Sequence, residues 1–228
     1  MGSQAPQVAR RAGFALFALV AAMAVAATAG AAGAPGVEQV HLTAADQAKA
    51  KTAVVTRADL GPGWTGGARK PSGPSTPSCG SWHPKQSDLV LTGQAESDFK
   101  QPGFEIDSEA QVLQTAKMVA LDWQRTVVAP QILTCLRQKI AQAAAPGEKL
   151  VSVGRVAFPH VARYSGAVRV VIDVTVSGST LRMRYDVILV GSGRTEITLA
   201  FTSPEAAAAT IGPAEVRLAR LLAARAAT

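Results

Sequence analysis

Six carboxylates fall between positions 88 and 109: Asp88, Glu96, Asp98, Glu105, Asp107 and Glu109. Two such groups facing one another across a groove are what glycoside hydrolysis requires, one as general acid and the other as base or nucleophile. Their spacing does not separate a catalytic pair from a solvated acidic rim that keeps strand edges apart, and the rim is the simpler reading. Cys79 and Cys135, the two cysteines of the chain, offer a second chemistry. A thiolate nucleophile with His83 or His160 as its base is one use of them; an even count in an exported chain points instead to one disulfide. His41, His83 and His160 show neither H-E-x-x-H spacing nor a Cys/His ligand pattern, so no metal and no cofactor is expected.

Two glycine motifs match catalytic or cofactor patterns only in letters. Gly61-Pro62-Gly63-Trp64-Thr65-Gly66 reads G-x-G-x-x-G, but a dinucleotide site needs a strand before it and a helix after it, so that backbone amides meet the pyrophosphate. Here a helix precedes and a proline-rich loop follows. The nucleophile elbow G-x-S-x-G is absent, and Ser192 between Gly191 and Gly193 reads as a hairpin turn.

The elements that must carry these residues are legible from periodicity. Thr43 followed by Asp46 caps an alanine-rich helix running to about residue 55. Residues 61–85 read as one long loop, pinned by Cys79, with Trp64 and Trp82 as aromatic plugs. Strands are expected at 87–95 and 104–113. Thr115 then caps a helix with an apolar face of Ala116, Val119, Ala120, Trp123 and Val127. Pro130 breaks it and opens another, striped by Ile132, Leu133, Leu136 and Ile140, with Cys135 beside the stripe. A meander over 150–202 alternates apolar and polar residues about turns at 177–179 and 191–193. It sets Asp173 opposite Arg184 and Ile188 opposite Glu196, and its charged face reads as solvated, with cross-strand ion pairs. Helical text resumes at residue 203 and restarts at Pro213; Leu218, Leu221 and Leu222 face inward, and Arg217, Arg220 and Arg225 face water. This order is α+β: an antiparallel meander packed against helices, with one disulfide.

Residues 1–31 read as an export signal. Arg10 and Arg11 precede an uncharged run over 12–29, and small residues place cleavage after Ala29 or Ala31. The alternative is an uncleaved membrane tether, since the run is just long enough to span a bilayer. No cysteine lies near the cleavage site, so a lipid anchor of the lipoprotein kind is excluded, and two arginines alone do not establish a twin-arginine signal. Residues 32–40 form a flexible leader, and 41–228 a single domain that does not span a membrane. Signal removal lowers the formal charge of +7 by two; the remaining cations are dispersed, which argues against a nucleic-acid partner. The chain has no asparagine and hence no N-glycosylation site.

Ala58-Asp59-Leu60-Gly61-Pro62-Gly63-Trp64, then Cys79, then Trp123 and Cys135 ahead of a closing meander and helix, resemble the secreted sensor-type domains of actinobacteria. These include the extracellular domains of PknH-type serine/threonine kinases and related free-standing envelope proteins. The resemblance spans most of residues 42–225 in element order. It implies a disulfide-stapled α+β domain with a cleft for a small molecule or an envelope component. The chain departs from the kinase-linked members in having no kinase portion, no transmembrane stalk and one disulfide where they have more. Signalling across a membrane and individual residue roles are therefore not carried over.

Together these features predict a secreted or envelope-located, non-enzymatic binding or sensor-like module whose ligand and oligomeric state the sequence leaves open. Contacts are expected where the 61–85 loop covers the sheet, with Trp64, Trp82 and His83 as candidates. An envelope-polymer hydrolase using a carboxylate pair, and a structural or partner-docking envelope protein, are the alternatives.

Overall fold

A computed structural model describes residues 37–73, 78–80 and 82–228. The expected signal segment lies outside the described residues, as does most of the expected leader. Eight strands form one sheet: β1 (Gln39–Val40), β2 (Thr65–Arg69), β3 (Val90–Gln101), β4 (Phe104–Leu113), β5 (Glu148–Val156), β6 (Tyr164–Val176), β7 (Ser179–Ser192) and β8 (Thr195–Pro204). Their order is β1-β3-β4-β8-β7-β6-β5, with β2 also paired to β3. β1 runs parallel to β3; every other pairing is antiparallel. Four helices accompany the sheet among the described residues: α1 (Ala44–Thr52), α2 (Ala116–Asp122), which continues as a π-helical turn over Trp123–Val127, α3 (Ile132–Ala143) and α4 (Ala208–Ala227). The fold is the expected α+β, with the expected disulfide.

One sheet face carries α1 over β3 and β4, and α4 over β7 and β8. Phe99, Ile106, Ala110, Ile188, Ile197, Leu199 and Phe201 from the strands meet Ala50, Leu218 and Leu222 from the helices in the main core. Thr43 caps α1 as expected, its hydroxyl accepting from the Asp46 amide at 3.1 Å. Gly93 lets that helix approach, because a Cβ there would lie 2.2 Å from the Asp46 carbonyl oxygen. On the opposite face Leu133, Leu136 and Ile140 of α3 cover Val153, Val168, Val170, Ile172 and Tyr185.

Several sequence expectations are corrected. Part of the 61–85 loop is a strand: β2 pairs with β3 from Thr65↔Lys100 to Arg69↔Glu96. β3 itself extends to Gln101, beyond the expected end at 95. Its polar residues Glu96, Asp98 and Lys100 sit on one pleat face while Ala95, Ser97 and Phe99 fill the other, so alternation continues where composition suggested a stop. Ser177 and Gly178, with φ of 52° and 80°, make a two-residue turn. Asp173 therefore pairs with Arg182, not Arg184. The next turn is also two residues long, Gly193-Arg194, so Glu196 lies opposite Gly191 and Ile188 opposite Leu199. That odd-numbered slip moves Glu196 to the other side of the sheet. The α4 helix runs unbroken through Pro213 at the loss of one backbone hydrogen bond.

The charged face of β6 and β7 is not solvated as a whole. Arg184 and Asp186 are 4% and 2% exposed, roofed by α4. Arg169 donates to both Asp186 oxygens at 2.7 and 3.0 Å, and Arg184 bonds Asp186 and, at 2.8 and 3.1 Å, both oxygens of Glu215 on α4. The charges balance within the network, which is how buried ions are tolerated. Against the upward push of burial, the two guanidinium bonds hold the Asp186 carboxyl below its ordinary value. Burial, together with Asp186, raises Glu215. The exposed cross-strand pair is Arg182 with Asp173, at 2.7 and 3.0 Å. Arg225, expected in water, donates to both oxygens of Asp59 and ties α4 to the turn after α1.

Candidate functional site

The three residues expected to touch a ligand do not converge. Trp64 is buried in the main core with α1 and α4, so it is a packing residue. Trp82 is half-buried, its backbone bridged to Cys79 by bonds of 3.1 and 2.9 Å. His83 is exposed in a cleft of about 320 Å³ that it shares with Ser78, Cys79, Gly80, Gln138, Lys139 and Gln142. Cys79 is bonded to Cys135 with Cα atoms 5.3 Å apart, which fastens the loop to α3 and leaves no thiol for nucleophilic chemistry. His41 and His160 are exposed. Among the described residues, no group of three His, Cys, Asp or Glu side chains is placed to hold a metal ion.

The carboxylates do converge. Antiparallel pairing sets Glu96 opposite Glu109, Asp98 opposite Asp107 and Lys100 opposite Glu105. Because directly opposed residues share a face, the acidic residues of β3 and β4 stand together on the sheet side away from α1 and α4. β8 adds Glu196 next to Gln111, followed along the same face by Thr198, Ala200 and Thr202. These side chains are shorter than the acids of β4 that stand opposite them. Asp122 at the end of α2 and Glu38 just before β1 complete the cluster; Asp122 hydrogen-bonds Glu196, and Glu38 lies near Asp122 and Glu109. Asp88 leaves it, because Arg125 binds it through two bonds of 2.6 and 3.0 Å and pulls its carboxyl down to about 2.

The basic neighbours neutralise one side of this surface. Arg69 reaches Glu96 at 2.8 Å. Ser72 donates to the same carboxylate from its amide at 2.7 Å and its hydroxyl at 3.2 Å. Lys100 pairs with Glu105 at 2.5 Å. The chain is thus tied down on both sides of the acidic face, at Ser72 over β3 and at Cys79 on α3. Deeper in, donors are scarce. Gln111 donates to Glu109 at 2.7 Å, and Gln86 donates to Asp122. Among the described residues, Asp107 Oδ2, Gln86 Oε1 and Glu38 Oε2 are buried acceptors with no hydrogen-bond donor.

Burial is the main cause of the resulting electrostatics. It raises Asp107 to about 7, helped by Glu105, and Glu38 to about 8, helped by Asp122 and Glu109. It also raises Glu109 and Asp122 and carries Glu196 well above the ordinary carboxyl value, with Asp122 and Glu38 adding to the last shift. Such a surface stores protons near neutral pH and accepts hydrogen bonds from donor-rich groups. The sequence had marked the β3 and β4 acids but not Glu38, Asp122 or Glu196. Glu196 could be found only by assigning the Gly193-Arg194 turn correctly, and the other two only from tertiary packing.

No family model matches the chain. No curated protein matches it either. One solved structure with partial similarity is a crystal structure of a Pseudomonas aeruginosa protein of unknown function, proposed as a regulator. It has 18% identity and a TM-score of 0.30 over 57% of this chain and 82% of its own. At that level of similarity it carries no argument. No helix among the described residues is long and apolar enough to cross a membrane.

Proposed function

We propose that the chain is a secreted, non-enzymatic binding domain of the cell envelope, sensor-like in organisation, whose contact surface is the acidic face of β3, β4 and β8. The disulfide is compatible with an oxidising compartment. One observation carries the choice of surface: among the described residues, Asp107 Oδ2 and Gln86 Oε1 are buried acceptors that no protein donor reaches, in a neighbourhood with an excess of carboxylates. The complementary ligand is small, cationic and rich in N–H groups, an amine or guanidine. Bonds from a charged donor to a buried carboxylate are the stronger kind, roughly twice a neutral pair. The test titrates spermidine into the full chain and follows backbone amides by NMR, with erythritol as an uncharged comparison. Shifts centred on β3, β4 and β8 and around Gln86, weakened about tenfold or more by Asp107→Asn, are expected. Equal responses to both probes, or none at β3, β4 and β8, would refute the assignment.

A second reading rests on Asp107 alone. A carboxyl that keeps its proton to about 7, opposite Asp98 on the next strand, has the makings of a general acid with a partner carboxylate. Release of reducing ends from an envelope polysaccharide, abolished by Asp107→Asn, would favour this hydrolase over the binding domain.

A further inference from the structure

Residues 37–42 lie along the first part of the β3 edge as an added parallel strand. Three backbone amides hold the segment and the start of α1 to the strand: Gln39 to the Leu89 carbonyl at 3.0 Å, His41 to Leu91 at 2.8 Å and Thr43 to Thr92 at 2.9 Å. The Gln39 side chain adds a bond to the Ser87 carbonyl at 2.9 Å. Almost nothing apolar supports them, since Val37, Val40 and Leu42 are 38%, 45% and 46% exposed. Each hydrogen bond exchanged with water contributes little net stability, so the attachment is weak apart from one side chain. That side chain is Glu38, which turns inward.

Glu38 enters a cluster built by separate elements. Asp122 faces it from α2, Glu109 from β4 and Glu196 from β8. The nearest cations are engaged elsewhere: Arg125, beside Asp122, is held by Asp88, and Arg69, near Glu109, is held by Glu96. Gln86 and Gln111 are the neutral neighbours, bonded to Asp122 and Glu109. An ionised Glu38 would therefore enter a desolvated site already crowded with acids, whereas a protonated one can occupy it without that cost.

We propose that residues 37–42 are a proton-latched strap, closed on the β3 edge in acid and released as the pH rises, when the Glu38 carboxylate leaves its cluster for water. Release bares the backbone carbonyls of Leu89 and Leu91 to water. Glu38 borders the acidic face, but the latch needs no ligand there, and its test is run on the chain without added amine. The sign follows from linkage. The docked carboxyl holds its proton to about 8 and the ordinary value is 4.5, so closure is fully favoured below 4.5 and is lost as the pH climbs through about 8. One proton exchanged over that window changes the docking equilibrium about tenfold per pH unit.

Amide hydrogen exchange on the full chain, corrected for intrinsic rate, tests this between pH 5 and 8. Protection at Gln39, His41 and Thr43 is expected to fall about tenfold per unit, while Leu199 in β8 stays protected. Glu38→Gln should hold the three amides protected and independent of pH. His41→Gln, which changes the other titratable side chain of the strap, should keep the slope. A flat wild-type profile, a slope that survives Glu38→Gln, a slope abolished by His41→Gln, or loss of protection shared with Leu199 would each overturn the latch. If Glu38→Gln does not fold, carboxyl-carbon NMR on the wild type decides. Strap and Glu38 signals titrating together support the latch, and separate titrations refute it.

Discussion

Arg184 of β7 and Glu215 of α4 meet beneath the C-terminal helix, with the guanidinium Nη2 at 2.8 and 3.1 Å from the two carboxylate oxygens. The pair fixes α4 to a sheet face that is otherwise charged at this point. Removing one partner leaves an uncompensated buried charge, so Arg184→Ala should cost about 3–5 kcal/mol. The double replacement Arg184→Met with Glu215→Leu should cost less than the single one. Urea unfolding of the three proteins checks the order; a single variant more stable than the double would count against this account.

Trp64 supports the core and does not touch the acidic face. Trp64→Ala should therefore lower stability by about 3–5 kcal/mol and leave spermidine affinity of the folded fraction unchanged. Calorimetric titration at a temperature where the variant is folded separates the two effects.

The Cys79–Cys135 bond closes a separation of 56 residues. On the chain-entropy argument its loss removes about 4 kcal/mol of stability. Paired Cys79→Ala and Cys135→Ala replacements should match reduction of the wild type in a denaturant melt. A reductant with no effect on the wild-type midpoint would contradict the assignment.

The buried acids set a pH optimum on the acid side of neutrality. Glu38 and Asp107 are raised to about 8 and about 7, and Glu109, Asp122 and Glu196 are raised as well. Raised carboxyls give stability that is complete below their unfolded values and disappears as pH rises through the folded ones. Asp46, Asp59 and Asp88, lowered by their arginine partners against the pull of burial, act oppositely and lose their contribution as the pH falls below about 4. The melting temperature should therefore fall from pH 5 to pH 8, and Glu196→Gln should flatten that fall. Differential scanning fluorimetry at constant ionic strength measures both.

Most elements were legible because their periodicity is local. The Thr43 cap, the stripe through Ile132, Leu136 and Ile140, and the alternation along 168–176 each depend on neighbours within a few residues. The cysteine pair was legible from its even count beside an expected export signal. What failed depended on a turn or on distant packing. Ser177-Gly178-Ser179 has the composition of a three-residue turn, but only Ser177 and Gly178 form it, which sets Asp173 opposite Arg182. β2 was hidden because its Thr-Gly-Gly-Ala-Arg text, with two glycines, is weak in strand propensity, and its pairing with β3 makes it one. Arg184 and Asp186 read as solvent-facing because nothing local announces a helix thirty residues on that supplies Glu215. The acidic site was half legible: the alternation of Glu105, Asp107 and Glu109 put them on one face, but the partners Glu38, Asp122 and Glu196 come from three other elements.

The position of β8 between β4 and β7 has a consequence for how the molecule is assembled. The β3–β4 hairpin and the β5–β6–β7–β8 meander consist of sequential antiparallel neighbours, and each can zip from its own turns. They are joined along a single seam, Glu105↔Thr202 to Val112↔Thr195, which brings together segments far apart in the chain and carries the higher loop-closure cost. During synthesis that seam has no second side until β8 has emerged. Before then the β3–β4 hairpin presents the β4 edge without a partner.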